Sequence, residues 1–149
     1  MRRKQLGSDG AERLGRIDLL SDLPVGRLRE LARLADEVTA EAGETLMLEG
    51  EPGFEFMMLE VGQADVSQGG ERINVMDPGD SFGELAVLAD GQARTASVVA
   101  VTDVRAIVLS AHFMREMAVR VPSAGARIDG LAAERRERDA LREASAKED

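Results

Sequence analysis

The stretch Ser81-Phe82-Gly83-Glu84-Leu85-Ala86-Val87-Leu88-Ala89-Asp90-Gly91-Gln92-Ala93-Arg94-Thr95-Ala96-Ser97-Val98 interrupts an otherwise regular succession of short strand patterns. A glycine stands beside a carboxylate, residues 84–88 read as one helical turn, Gly91 turns the chain, and Arg94 precedes a β-rich run. The first N–H groups of a helical turn have no partner within the turn, and the local dipole there favours negative charge. Arg94, returning across the Gly91 loop, can add a charge-assisted, bidentate contact from the opposite side. The two together suit a small anion. Glu84 would repel a phosphate but is a good acceptor for a sugar hydroxyl beside one, so a phosphate fused to a ribose satisfies both side chains. Gly83 permits close backbone approach, and Thr95 places a hydroxyl next to the arginine. Two plainer readings stand alongside: an internal Glu84–Arg94 salt bridge across the loop, and ordinary turn chemistry for Thr95.

Outward from this stretch, six short β-rich runs are predicted: Thr45 to Leu48, Phe56 to Val61, Ala64 to Ser67, Arg72 to Met76, Ala96 to Ala100 and Val104 to Leu109. Turn residues separate them at Gly50-Glu51-Pro52-Gly53, Val61-Gly62-Gln63, Gln68-Gly69-Gly70-Glu71 and Asp77-Pro78-Gly79-Asp80, and the Gly69-Gly70 pair reads as a hairpin tip. Many short strands divided by glycine turns predict a β jelly roll or barrel. On the N-terminal side a helix is predicted from Asp22, with Pro24 in its first turn and Leu28, Leu31, Ala32, Ala35 and Val38 on one face. Residues 1–16 mix glycine and charge and are expected to form a flexible leader. On the C-terminal side Ser110 can cap a helix carrying Phe113, Met117 and Val121, which Pro122 ends or kinks. A further helix from Ser123 carries Ile128, Leu131 and Ala132 before the charged run Glu134 to Asp139, and residues 142–149 are expected to fray.

Composition narrows the function. A chain of 149 residues with 44% hydrophobic content supports one domain with its own core. A formal charge of −9 and a pI near 4.7 oppose nonspecific binding to nucleic acid or an acidic membrane, since counterion release needs a basic surface. No cysteine is present, which removes disulfides and thiolate metal sites and fits a reducing compartment. No apolar run approaches the ~20 residues needed to span a bilayer, and the Met1-Arg2-Arg3-Lys4 start is followed by no apolar core of a signal peptide. A cytoplasmic location is expected, without membrane insertion. Asp77 and Asp80 read as turn formers rather than calcium ligands, Met47, Met57, Met58 and Met76 as core filler, and His112 as a surface residue at a helix start.

The segments Phe82-Gly83-Glu84-Leu85-Ala86 and Arg94-Thr95-Ala96-Ser97-Val98 resemble the two ends of the phosphate-binding cassette of the cyclic-nucleotide-binding domain family, which includes the catabolite activator proteins, the regulatory subunits of protein kinase A and nucleotide-gated channels. The spacing Gly91-Gln92-Ala93-Arg94 is closer to the bacterial activators than to the kinases, which commonly place proline before the arginine. The resemblance runs from about Leu23 to Leu131, with Glu49-Gly50, Gly62, Pro78-Gly79-Asp80 and Phe113 where the family has them. It implies a mainly β jelly roll with an N-terminal helix, a short internal cassette helix and C-terminal helices, the domain occupying residues 17–141. It further implies that Glu84 and the Gly83 backbone hold the ribose 2′-hydroxyl, while Arg94 and the N–H groups of Ala86 and Thr95 hold the cyclic phosphate. Val66 and Ile73 would pack against the base. In the family the last helix forms a lid over the purine; here that region is charged, and Arg135 or Arg138 would have to stack on the base. Tightening of the cassette would move Leu85 and Leu88 against the helix carrying Phe113 and so reposition the last helix. The implied ligand is cyclic AMP, with cyclic GMP open because the Thr95 hydroxyl could contact the 2-amino group of a syn guanine.

The function expected is therefore that of a non-catalytic sensor regulating a protein effector through its C-terminal helices. A metal-dependent cupin shares the jelly-roll architecture but needs clustered histidines, and His112 is the single histidine. No basic recognition surface or helix-turn-helix is expected, which sets aside a transcription factor. The runner-up is a ligand-free interaction module that keeps the fold and self-associates through the C-terminal helix around Glu134 to Arg142.

Overall fold

The computed structural model describes residues 1–83 and 93–148. Nine strands among the described residues form two antiparallel sheets. The first contains β1 (Arg2–Gln5), β2 (Asp36–Ala40), β9 (Val104–Ser110), β4 (Glu55–Val61) and β7 (Ser81–Phe82), in that spatial order. The second contains β3 (Thr45–Met47), β8 (Ser97–Ala100), β5 (Ala64–Gln68) and β6 (Glu71–Met76). The protein is a mainly β jelly roll flanked by helices.

The period-2 alternation of strands explains how one roll supports two cores. Along β4, Phe56 and Met58 point to the helices while Met57 and Leu59 point into the roll; along β9, Ile107 and Leu109 take the helical side and Ala106 and Val108 the interior. These strands are therefore apolar on both faces. Burying a side chain of this size contributes about 1.5–3 kcal/mol. The interior also takes Met47, Val66, Met76, Phe82 and Val98, and the outer core takes Leu14, Leu20, Leu31, Met114 and Ile128. Met47, Met57, Met58 and Met76 serve as core filler, as expected from the sequence. Gly69 and Gly70 form the β5–β6 hairpin tip with φ of 60° and 82°, the left-handed pair that a two-residue turn demands. At the 77–80 turn the Asp80 carboxylate accepts from the Asp77 N–H at 2.8 Å, so these acids do form a turn.

Three expectations are corrected. The leader expected at residues 1–16 is folded: β1 pairs antiparallel with β2, and α1 (Gly10–Gly15) buries Leu14 completely. Its anchor is Arg13, whose guanidinium donates to Glu60 at 2.5 and 3.1 Å and to Glu37 at 2.9 Å. These bonds, Glu60 first, hold the Arg13 pKa above its ordinary value. Helix α2 (Val25–Leu34) ends before Val38, which lies on β2 opposite Ala106; Ala35 is already extended, with ψ 148°. The tail expected to fray from residue 142 continues as helix to Glu148.

Beyond β9, the Ser110 hydroxyl caps α3 (Ala111–Arg120) by accepting from the His112 N–H at 3.2 Å. Val121 breaks the helix with φ −125° and ψ 92°, and Pro122 opens α4 (Pro122–Glu148), where its missing N–H costs nothing. Gly125 lets α4 pass close to α3: a Cβ there would lie 2.6 Å from the Ala118 carbonyl oxygen. No helix of the described residues is long and apolar enough to cross a membrane.

Candidate functional site

Arg94 is placed by its own backbone before its side chain matters. Its N–H donates to the Glu51 carbonyl at 2.8 Å, its carbonyl accepts from the Gly50 N–H at 2.9 Å, and Ala93 bridges antiparallel to Pro52. The 50–53 turn thus grips the chain on either side of the arginine. The guanidinium then lies across Gly53, where a Cβ would stand 2.7 Å from both Cζ and Nε. On another side stands Gly83, with φ +100°, where a Cβ would lie 3.0 Å from Arg94 Nη1 and 2.5 Å from the Glu55 carbonyl oxygen. Nη2 donates to that same carbonyl at 2.8 Å. Two glycines and one carbonyl form a slot that fixes the guanidinium plane.

The sequence placed Gly83 and Arg94 in the site, and the structure brings them together. It adds Gly53 and the Glu55 backbone. In the sequence Gly53 reads only as part of a turn; its lack of a positive φ, which leaves close approach by another group as its reason to be glycine, emerges only in the fold. Glu84, Leu85 and Ala86, along with the short helical turn predicted at 84–88, lie outside the described residues. Thr95 is half-buried, and its carbonyl accepts from Gln68 Nε2 at 2.8 Å.

A cleft of about 530 Å³ opens between the β5–β6 face, the Gly79–Ser81 turn and α4. Val66, Arg135 and Arg138 all line it, whereas Ile73 does not. Ile73 is half-buried and packs on the interior core. It falls at a break in the β5–β6 register, where Val66 pairs with Asn74 but Ser67 pairs with Arg72, and this bulge sets it off the row of Asn74 and Met76, which do line the cleft. Arg135 stacks its guanidinium 4.6 Å from the ring centroid of Phe82, the residue before Gly83. Arg127 fixes the near end of α4 by donating to Asp22 at 2.6 Å, to Ser21 Oγ at 3.2 Å and to the Asp18 carbonyl. Arg142 Nε donates to Gln68 Oε1 at 3.1 Å farther along. Among the described residues no group of three or more metal-ligating side chains converges.

The model of the cyclic nucleotide-binding domain matches residues 37–120, more than half of the chain, and the protein belongs to that family. The cAMP-dependent protein kinase regulatory subunit of Aspergillus niger is 40% identical over 94 residues, covering 62% of this chain and 23% of that protein. The cGMP-dependent protein kinase egl-4 of Caenorhabditis briggsae is 39% identical over 92 residues, covering 62% of this chain and 12% of that one. The chain therefore matches less than a quarter of the length of either relative. The catabolite activator protein of Thermus thermophilus shares the fold, with a TM-score of 0.69 and 22% identity over 83% of this chain and 60% of that one.

Proposed function

We propose that this chain is a cytoplasmic, non-catalytic sensor that binds a cyclic mononucleotide, cyclic AMP first and cyclic GMP as the competing ligand. The observation that carries this is the Gly53–Gly83 slot, which holds Arg94 flat against the Glu55 carbonyl beside the half-buried Thr95. A guanidinium preset in this way loses little further freedom on binding a planar pair of phosphate oxygens. Arg94 and the Thr95 N–H would take the cyclic phosphate, Gly83 with Glu84 the ribose hydroxyl, and Ala86 a second phosphate oxygen. Val66 would pack on the base from the roll, and Arg135 or Arg138 would close over it from α4. Changes at the cassette would shift α4 and so regulate a protein effector, ligand preferring one helix position over the other.

Calorimetric titration of the full chain with each nucleotide tests the proposal. A micromolar ligand releases about 8 kcal/mol, and removal of one partner of a desolvated charge pair costs about 2–5 kcal/mol. Arg94→Ala is therefore expected to lose binding almost completely. Equal affinity of parent and variant would sink the site assignment. A parent that binds neither nucleotide would leave the ligand-free interaction module as the function.

A further inference from the structure

The long helix α4 reaches both flanks of the segment between Gly83 and Arg94. On the near flank Arg135 stacks on Phe82; on the far flank Arg142 bonds Gln68, and Gln68 bonds Thr95. The far connection runs through a single side-chain amide. Gln68 accepts from Arg142 Nε at 3.1 Å through Oε1 and donates to the Thr95 carbonyl at 2.8 Å through Nε2. Both ends of the amide are engaged, so its orientation is dictated from two sides at once: a flipped amide would oppose Nε2 to a guanidinium and Oε1 to a carbonyl. Gln68 is the last residue of β5, paired with Glu71 across the Gly69-Gly70 tip but beyond the β5–β8 register, which ends at Ser67 opposite Ser97. The tip itself is held by Glu49, whose carboxylate accepts from the Gly69 N–H at 2.9 Å. Glu49 in turn donates its N–H to Ser97 Oγ at 2.9 Å, two residues beyond Thr95. Arg142 also lies 3.7 Å from Glu71 on β6.

We infer that Gln68 is a positioning residue that couples docking of the last third of α4 to the conformation of the Arg94–Thr95 backbone. The coupling is present in the chain without ligand; its effect on affinity rests on the nucleotide binding proposed above. When α4 is docked, Gln68 is turned to hold the Thr95 carbonyl and thereby the arginine next to it. When Arg142 leaves, the amide is free to rotate and Thr95 loses its donor. Arg142 makes none of the bonds described at residues 93–97, and the route through Gln68 is the shorter of two, the other running from Glu71 round the hairpin tip to Glu49 and Ser97; the double variant tells them apart.

Amide hydrogen exchange on the full chain, compared for the parent, Gln68→Ala, Arg142→Ala and the double variant, decides the matter without nucleotide. Arg142→Ala is expected to speed exchange over residues 93–97 as well as over 136–145, by roughly two- to tenfold, and the double variant to go no further than Gln68→Ala at 93–97. Parent-like exchange at 93–97 in Arg142→Ala, or additive effects in the double variant, would overturn the coupling. Gln68→Glu separates coupling from a simple clamp. It keeps an acceptor for Arg142 but sets a carboxylate against the Thr95 carbonyl, so α4 stays protected while residues 93–97 exchange faster. Protection retained in both regions would also overturn it. Titration of the same proteins with cyclic AMP and cyclic GMP is expected to show Arg142→Ala weakened roughly two- to tenfold. Failure of the parent itself to bind refutes the nucleotide site and leaves the exchange result to judge the coupling alone.

Discussion

Arg94 lies directly on Gly53: the arginine's Cζ and Nε occupy positions 2.7 Å from where a Cβ of residue 53 would be. Gly53 has no left-handed φ, so alanine is acceptable to its backbone and only the contact with Arg94 resists it. Gly53→Ala is expected to push the guanidinium off the Glu55 carbonyl and to weaken nucleotide binding more than tenfold, while stability falls by no more than about 1 kcal/mol. Calorimetric titration and thermal melting of the same sample check the two halves.

Gly83→Ala should behave in the opposite way. Its φ of +100° strains any residue with a Cβ, and that Cβ would lie 2.5 Å from the Glu55 carbonyl oxygen, a backbone atom that cannot swing aside. A loss of about 1–3 kcal/mol is expected, seen as a lower urea midpoint with the slope unchanged. A midpoint equal to that of the parent would refute the geometry.

Arg94→Lys retains the charge but not the fork. An ammonium cannot bond the Glu55 carbonyl through one nitrogen while presenting others in a fixed plane. Affinity should therefore order as parent, then Arg94→Lys, then Arg94→Ala, with at least tenfold between the first two. A lysine variant equal to the parent would mean that charge alone is recognised.

Arg13→Ala strands two carboxylates, Glu37 and Glu60, the former only 8% exposed. Lys4 at 3.5 Å from Glu37 and Arg105 at 3.3 Å from Glu60 soften the loss, which is expected at about 3 kcal/mol, the low end for a broken buried pair. The folded-state pKa of Arg13 is raised, so its stabilisation is fully present below the ordinary arginine range and is lost only as pH rises beyond it. Denaturant midpoints measured from neutral pH to about 10 should show a parent-to-variant gap that does not close.

What was legible in the residues was local. The β5–β6 hairpin announces itself in Gly69-Gly70, the α3 cap in Ser110, the break between the last helices in Pro122, and half of the slot in Gly83 and Arg94. What was not legible depends on partners far along the chain. Strand β1 is Arg-Arg-Lys-Gln, with no apolar residue, and exists through backbone pairing to residues 36–39. Strand β2 begins Asp-Glu, and Glu37 tolerates burial because Arg13 reaches it from 24 positions away. Val38 fell at helical spacing from Leu31 and Ala35, and only its pairing opposite Ala106 makes it a strand residue. Gly53 and Arg94, 41 positions apart in the sequence, carry no mutual signal until folding lays one on the other.

The burial pattern of α4 bears on how its movement would register. Ala132 is the last fully buried residue among those whose exposure is described, and from there to residue 145 only Arg135, Asp139 and Arg142 are even half-covered. The far half of the helix is thus held by guanidinium contacts rather than by apolar area. Heat-capacity change and denaturant slope both scale with surface exposed, so release of this segment should change either one very little. Its equilibrium should respond instead to ionic strength, since added salt screens contacts of this kind. A switch built this way is tuned by the electrolyte around it.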